Sequence, residues 1–216
     1  VYFERLSIDS SITIGSLFML NPNDTASISK TIINGSTTTN YSALIGLKGT
    51  NNMINRTLSL RGLQFEQFNG SLINDSRILI LSNCILNSIK ANCSSLINGN
   101  NNSIIEKSKF FNTSGQIYLA SNSIISQNLF LKHNGSCNSQ FINGSSSKLK
   151  ITNNLFIDLT GTDLSSTGND STFILNNTFY KSATNASSFI RFDSYSNTKN
   201  LVYNNIFNRT IGNDFI

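Results

Sequence analysis

The sequence predicts an all-β fold, a right-handed parallel β-helix with three short strands per coil and about eight to nine coils. Three observations carry that expectation. A short pattern recurs: an aliphatic residue, two residues later Asn-Asn, one variable residue, then Phe. It is plainest at Ile151…Asn153-Asn154…Phe156, Ile174…Asn176-Asn177…Phe179 and Val202…Asn204-Asn205…Phe207. Looser copies are Ile125…Gln127-Asn128…Phe130, Ile105…Lys107-Ser108…Phe110, Ile80…Ser82-Asn83…Ile85 and Leu60…Gly62-Leu63…Phe65. The anchors Phe65, Ile85, Phe110, Phe130, Phe156, Phe179 and Phe207 are about 20 to 28 residues apart, the length of one solenoid coil. Finally, Asn, Ser and Thr make up about two fifths of the 216 residues, while Ala, Glu and Lys, the residues that fill long helices, are sparse.

The chain reads as one domain, residues 1–216, with irregular coils or a cap over 1–50 and regular coils over 55–216. In the first part Leu6, Ile8, Ile12 and Ile14 share a parity, as in a strand with one buried face. From about Leu58 each coil has a strand with the aliphatic anchor, an Asn turn and a short strand with Phe. A third strand follows a variable loop, at Leu72-Ile73, Leu96-Ile97, Ile117-Tyr118-Leu119, Phe141-Ile142, Phe189-Ile190 and Phe215-Ile216, with Leu164 the weak member. Several of these strands are expected to close at Asn74-Asp75, Asn98-Gly99 or Asn143-Gly144, dipeptides that tolerate left-handed backbone. The Asn-Asn step is read as structural. Asn bends the chain through the left-handed region, and stacked amides hydrogen-bond along the axis while Phe packs on Phe inside.

These repeats, Ile151-Thr152-Asn153-Asn154-Leu155-Phe156 and its copies, resemble those of the pectin-lyase-like superfamily over roughly residues 55–216. Their Asn- and Ser-rich style is similar to adhesin-like surface proteins of methanogenic archaea and to polymorphic-membrane-protein-like repeats, whose Gly-Gly-Ala motif is absent. The resemblance implies the fold. It implies little about activity, since that superfamily holds lyases, hydrolases, epimerases, tailspikes and adhesins.

Charge gives few handles. Only 12% of residues are charged and the net charge is +5, but Lys and Arg are scattered singly, so no basic face for nucleic acid is expected. No apolar run is long enough for a membrane span. Val1 is preceded by no leader features, which reads as a processed or excerpted product. Acidic residues are dispersed; the best cluster is Asp158, Asp163 and Asp170 with Arg191 and Asp193, against the paired carboxylates that glycoside hydrolysis needs. His133, the single histidine, reads as a surface-loop residue. No catalytic residue, cofactor or metal is expected. Of the three cysteines, Cys84 and Cys93 fall within one coil and are the disulfide candidate, leaving Cys137 as a buried thiol or a link between chains.

The sharper signal is Asn-x-Ser/Thr, the N-glycosylation acceptor. Candidate sites are Asn23, Asn34, Asn40, Asn55, Asn69, Asn74, Asn92, Asn101, Asn112, Asn134, Asn143, Asn169, Asn185 and Asn208, with Asn176 inside the Asn-Asn step expected to be the least modified. Composition alone gives roughly eight such triplets, about half the number present. The function expected is an extracellular, cell-surface structural or adhesin-like protein, heavily N-glycosylated and assembled head to tail into a fibre. The expected partners are attached glycans, further copies of the chain and a surface glycan ligand. The alternative is a carbohydrate-active β-helix enzyme, lyase or hydrolase, or a tailspike-type glycan binder.

Overall fold

A computed structural model describes residues 6–8, 10–36, 43–47, 56–74, 77–133, 141–144, 148–161, 164–166, 171–181, 188–192 and 199–209. The chain winds as an all-β parallel solenoid with three walls. The first wall is an eight-stranded parallel sheet stacking Ile12–Gly15, Thr57–Arg61, Ile78–Ser82, Ile104–Glu106, Ile124–Ser126, Leu149–Thr152, Thr172–Leu175 and Leu201–Tyr203. The second stacks Ile32–Asn34, Gln64–Asn69, the start of Ile85–Gly99, Lys109–Phe111, Leu129–Leu131, Leu155–Ile157, Thr178–Lys181 and Ile206–Arg209. The third stacks Leu6–Ile8, Ala43–Leu47, Ser71–Asn74, the end of Ile85–Gly99, Ser114–Leu119, Ile142–Gly144, Leu164–Ser166 and Ile190–Phe192. Because Ile85–Gly99 runs unbroken through both, the second and third walls form one 15-stranded sheet.

About five turns share the compact repeat, from Ile78 to Phe192, fewer than the eight to nine expected. The flanking strands extend the sheets but depart from it. Between the walls of the first coil the chain inserts a 3-10 helix, Leu17–Met19, and a short α-helix, Ala26–Lys30. The next coil runs almost directly from a six-residue strand into the third wall, and the last described coil supplies two strands.

Register explains the repeat. From the strand Thr57–Arg61 onward the residue just after the first wall has positive φ: Gly62, Asn83, Lys107, Gln127, Asn153, Asn176 and Asn204, whereas Ser16 after Ile12–Gly15 has φ −84° and starts the 3-10 helix. A single left-handed residue turns the chain between walls, and Asn tolerates that conformation better than other residues with a Cβ. Two residues after the next position comes the anchor. Phe110, Phe130, Phe156, Phe179 and Phe207 form one inward column, with ring centroids 4.7, 4.9, 4.7 and 5.0 Å apart. Each contact adds about 0.5–1.5 kcal/mol beyond burial. In the coil before Phe110 the register pairs Phe110 and Phe65 with Leu86, so Leu86 is the anchor there and the expected Ile85 faces outward. That copy is Leu81…Asn83-Cys84…Leu86, one residue later than the sequence reading, because Ser82-Asn83 imitates an Asn pair.

The third-wall strands contain the expected apolar residues except Phe141 and Phe189, which directly precede theirs; Leu164 is buried in one of them, and Phe215-Ile216 lies outside the described residues. Asn98-Gly99 and Asn143-Gly144 are the last two residues of their strands, Asp75 lies outside the described residues, and the left-handed residues come later, at Asn102 and Lys148.

Candidate functional site

The two members of the Asn-Asn step divide the work that the sequence assigns to the pair. The first turns outward: Asn153, Asn176 and Asn204 are exposed. The second turns inward and stacks. Asn154 Nδ2 donates to Ile125 O at 2.9 Å, Thr152 O at 3.1 Å and Asn177 Oδ1 at 3.0 Å. Its own Oδ1 accepts from the Asn128 backbone N–H at 2.9 Å and from Asn128 Nδ2 at 3.0 Å. Asn177 repeats the arrangement on Asn205, and Asn128 passes it to the Ser108 N–H at 2.9 Å. Buried amides need this full satisfaction, since an orphaned polar group inside costs about 1–3 kcal/mol. The inward members of the step form a structural ladder whose amide donors are taken up within it.

Cys84 occupies the next rung. Its backbone N–H donates to Ser108 Oγ at 3.1 Å, and its thiol lies 3.5 Å from Leu60 O and 3.4 Å from Ser82 O. It is a buried free thiol, so the expected bridge to Cys93 is absent at its Cys84 end. The ladder position points the side chain into the solenoid. The side chain of Cys93, and Cys137, lie outside the described residues. Burial pushes the Cys84 thiol up to about 12, which keeps it protonated and unreactive.

His133 is also inside rather than on a surface loop. It is 1% exposed, packs 3.9 Å from the Phe141 ring centroid, and its Nδ1 lies 3.1 Å from Thr113 Oγ1. It follows the left-handed Lys132, as Thr113 follows Asn112 and Leu159 follows Asp158, so the turn aims each of them inward. Burial lowers its pKa to about 3. Of the acidic cluster, Asp158 sits in that turn and Arg191 is exposed, while Asp163, Asp170 and Asp193 lie outside the described residues. Among the described residues no group of three His, Cys, Asp or Glu could hold a metal ion.

The sequons lie on the outside. Asn23, Asn69, Asn74, Asn101, Asn112 and Asn208 are exposed, and Asn34 and Asn143 are half-buried. Asn176, expected to be the least modified, is exposed as the outward member of its pair, and its Oδ1 accepts from Asn204 Nδ2 at 2.7 Å. Asn40, Asn55, Asn134, Asn169 and Asn185, and the side chain of Asn92, lie outside the described residues. Several outward amides use Oδ1 locally: Asn101 accepts from the Ser121 N–H at 2.9 Å and Asn34 from the Ser36 N–H at 2.9 Å. A sugar attaches through Nδ2 and leaves that oxygen an acceptor, so these contacts are compatible with modification. Among the described residues no sequon asparagine lies within a strand of the eight-stranded sheet, although Asn176 directly follows the strand Thr172–Leu175.

Among the described residues no helix is long and apolar enough to cross a membrane. No protein-family model, curated protein or solved structure matches the chain.

Proposed function

We propose that this chain is a non-catalytic, extracellular surface module: a rigid solenoid whose outer turns carry N-linked glycans, in the manner of the adhesin-like β-helix proteins it resembles in style. The observation that supports it most is the separation of its asparagines. The sequon asparagines Asn23, Asn69, Asn74, Asn101, Asn112, Asn176 and Asn208 are exposed, while the ladder asparagines, with Asn128, Asn154 and Asn177 buried, carry no sequon. A fold held by its own backbone pairing and a closed ladder tolerates sugar on its turns, because such groups point to solvent.

End-to-end self-association is the second part of the proposal. Ile174 is 1% exposed beneath a further strand, whereas Val202, its counterpart in the last described coil, is 40% exposed, and Tyr203 and Ile206 beside it are open as well. In such an assembly the apolar residues of this last described coil are what a strand of another copy would cover.

Glycopeptide mass spectrometry of protein from its native source tests the glycan claim. Sugar is expected on Asn23, Asn69, Asn74, Asn101, Asn112 and Asn208. Unmodified peptides at all six would remove it.

A further inference from the structure

A groove that combines an apolar wall with unneutralised charge lies on the eight-stranded sheet. After Ile12–Gly15 the chain leaves the first wall and folds into the 3-10 helix Leu17–Met19, capped by Ser16 Oγ, which accepts from the Phe18 N–H at 3.2 Å. Phe18, Met19 and Pro22 then form one side of a groove of about 580 Å³. Its floor is Thr13, Arg61, Ser82, Asn83, Glu106 and Lys107.

The floor has a repeat. Arg61, Ser82 and Glu106 are successive members of one column, paired strand to strand, with Ser82 buried between its more accessible neighbours. They therefore recur at the sheet spacing of about 4.8 Å along the solenoid axis. Asn83 and Lys107, the left-handed residues that follow, stack on the same step. Arg61 is braced by its Nε–H donating to Ser59 Oγ at 3.0 Å, which leaves the end of the guanidinium for another partner. Among the described residues no ion pair engages Arg61, Glu106 or Lys107.

We propose that this groove binds an oligosaccharide, with one sugar ring against Phe18 and the hydroxyls of successive rings on Arg61 and Glu106, two coil steps apart. A sugar ring has an apolar face for the aromatic wall and hydroxyls that both donate and accept, which suits a floor of cations, a carboxylate and an amide. The coil step is close to the length of one ring in a sugar chain. An extended peptide presents same-side groups about every 6.6 Å and falls out of step with the floor. The volume is in the range of ordinary ligand clefts. The nearest sequon is Asn23, which follows Pro22 at the rim of the apolar wall, while none of the floor residues is a sequon asparagine. This inference deepens the surface-module reading and rests on it for where the ligand is met.

The test is saturation-transfer NMR and titration calorimetry on the full chain with short neutral and short carboxylated oligosaccharides. Binding of either set is expected, with saturation passing from aromatic protons to ring protons. Glu106→Gln and Arg61→Ser should each weaken it by about tenfold, the scale of a lost hydrogen-bonding partner in a specific site. Lys150→Ala, exposed on the same sheet outside the groove, should leave it unchanged. Preference for the carboxylated set would assign Arg61 and Lys107 to reading the acid; equal affinity would assign the floor to hydroxyls. Both substituted side chains are at the surface, so wild-type melting curves are expected and confirm the fold. Absence of binding to both sets, or binding that survives both substitutions, overturns the proposal. Glycopeptide occupancy is read separately, so a failed groove does not remove the surface-module reading.

Discussion

The two halves of the solenoid fill the same inner turn position in different ways. From Asn205 through Asn177, Asn154 and Asn128 it holds amides joined side chain to side chain. Toward the other end it holds Ser108, then Cys84, then Leu63, all buried. The adjacent column changes in parallel, from five stacked Phe rings to Leu86 and then Phe65. The position therefore accepts either a polar chain in which every member is satisfied or an apolar plug. What it excludes is a lone amide, since an amide with half its partners is worse than none. Ser108 and Cys84 are the transition: Ser108 Oγ accepts from the Cys84 N–H and donates to Glu106 O at 2.9 Å, ending the amide run without an orphan.

That contrast can be broken at several points. The largest effect is expected from Phe156→Ala, which opens a void between Phe130 and Phe179 in the rigid half. It should lower unfolding stability by about 3–5 kcal/mol in denaturant titration. A loss under 1 kcal/mol, on the same order-of-magnitude scale, would mean that the column closes over the gap.

The second turn has its own mixed column, with His133 between Thr113 and Leu159. The folded pKa of about 3 lies below the ordinary 6.5, so the unfolded chain binds the proton first as pH falls. Stability contributed by keeping this imidazole neutral is present above about pH 6.5 and is lost through the window down to about 3, at roughly 1.4 kcal/mol per pH unit. His133→Leu, which copies the neighbouring Leu159, should flatten that part of the stability–pH curve relative to wild type. Parallel curves would show that His133 does not titrate across the window.

The smallest effect belongs to the transition rung. Cys84→Ser keeps a small donor beside Leu60 O and Ser82 O, and a change within about 1 kcal/mol is expected. Thermal unfolding measures it, and a large loss would mark the thiol's volume as the requirement.

Much of the fold was legible because the interior is written in a period. The left-handed Asn153, Asn176 and Asn204 and the Phe column follow from residue type and spacing alone. The copy at Leu81–Leu86 was misread because Cys84 replaces the second Asn and Leu86 the Phe, so both markers vanish in one coil. His133 looked like a loop residue beside Asn134-Gly135; only the turn geometry shows that the residue after Lys132 points inward. Asn176 and Asn177 are indistinguishable by composition, and the sign of φ decides which one faces solvent. The groove has no local signature at all. Phe18, Arg61 and Glu106 are far apart in the chain, and only the strand register of Arg61, Ser82 and Glu106 brings them together.

The most direct test of the ladder is denaturant unfolding of Asn154→Leu, which gives the amide half the plug that Leu63 provides at the other end. The substitution strips the acceptor from the Asn128 N–H and Nδ2 and the donor from Ile125 O and Thr152 O. A loss of about 3 kcal/mol or more is expected, from several buried groups left unpaired at once. Stability equal to wild type would contradict a cooperative ladder, and would mean that any side chain of suitable size fills the turn.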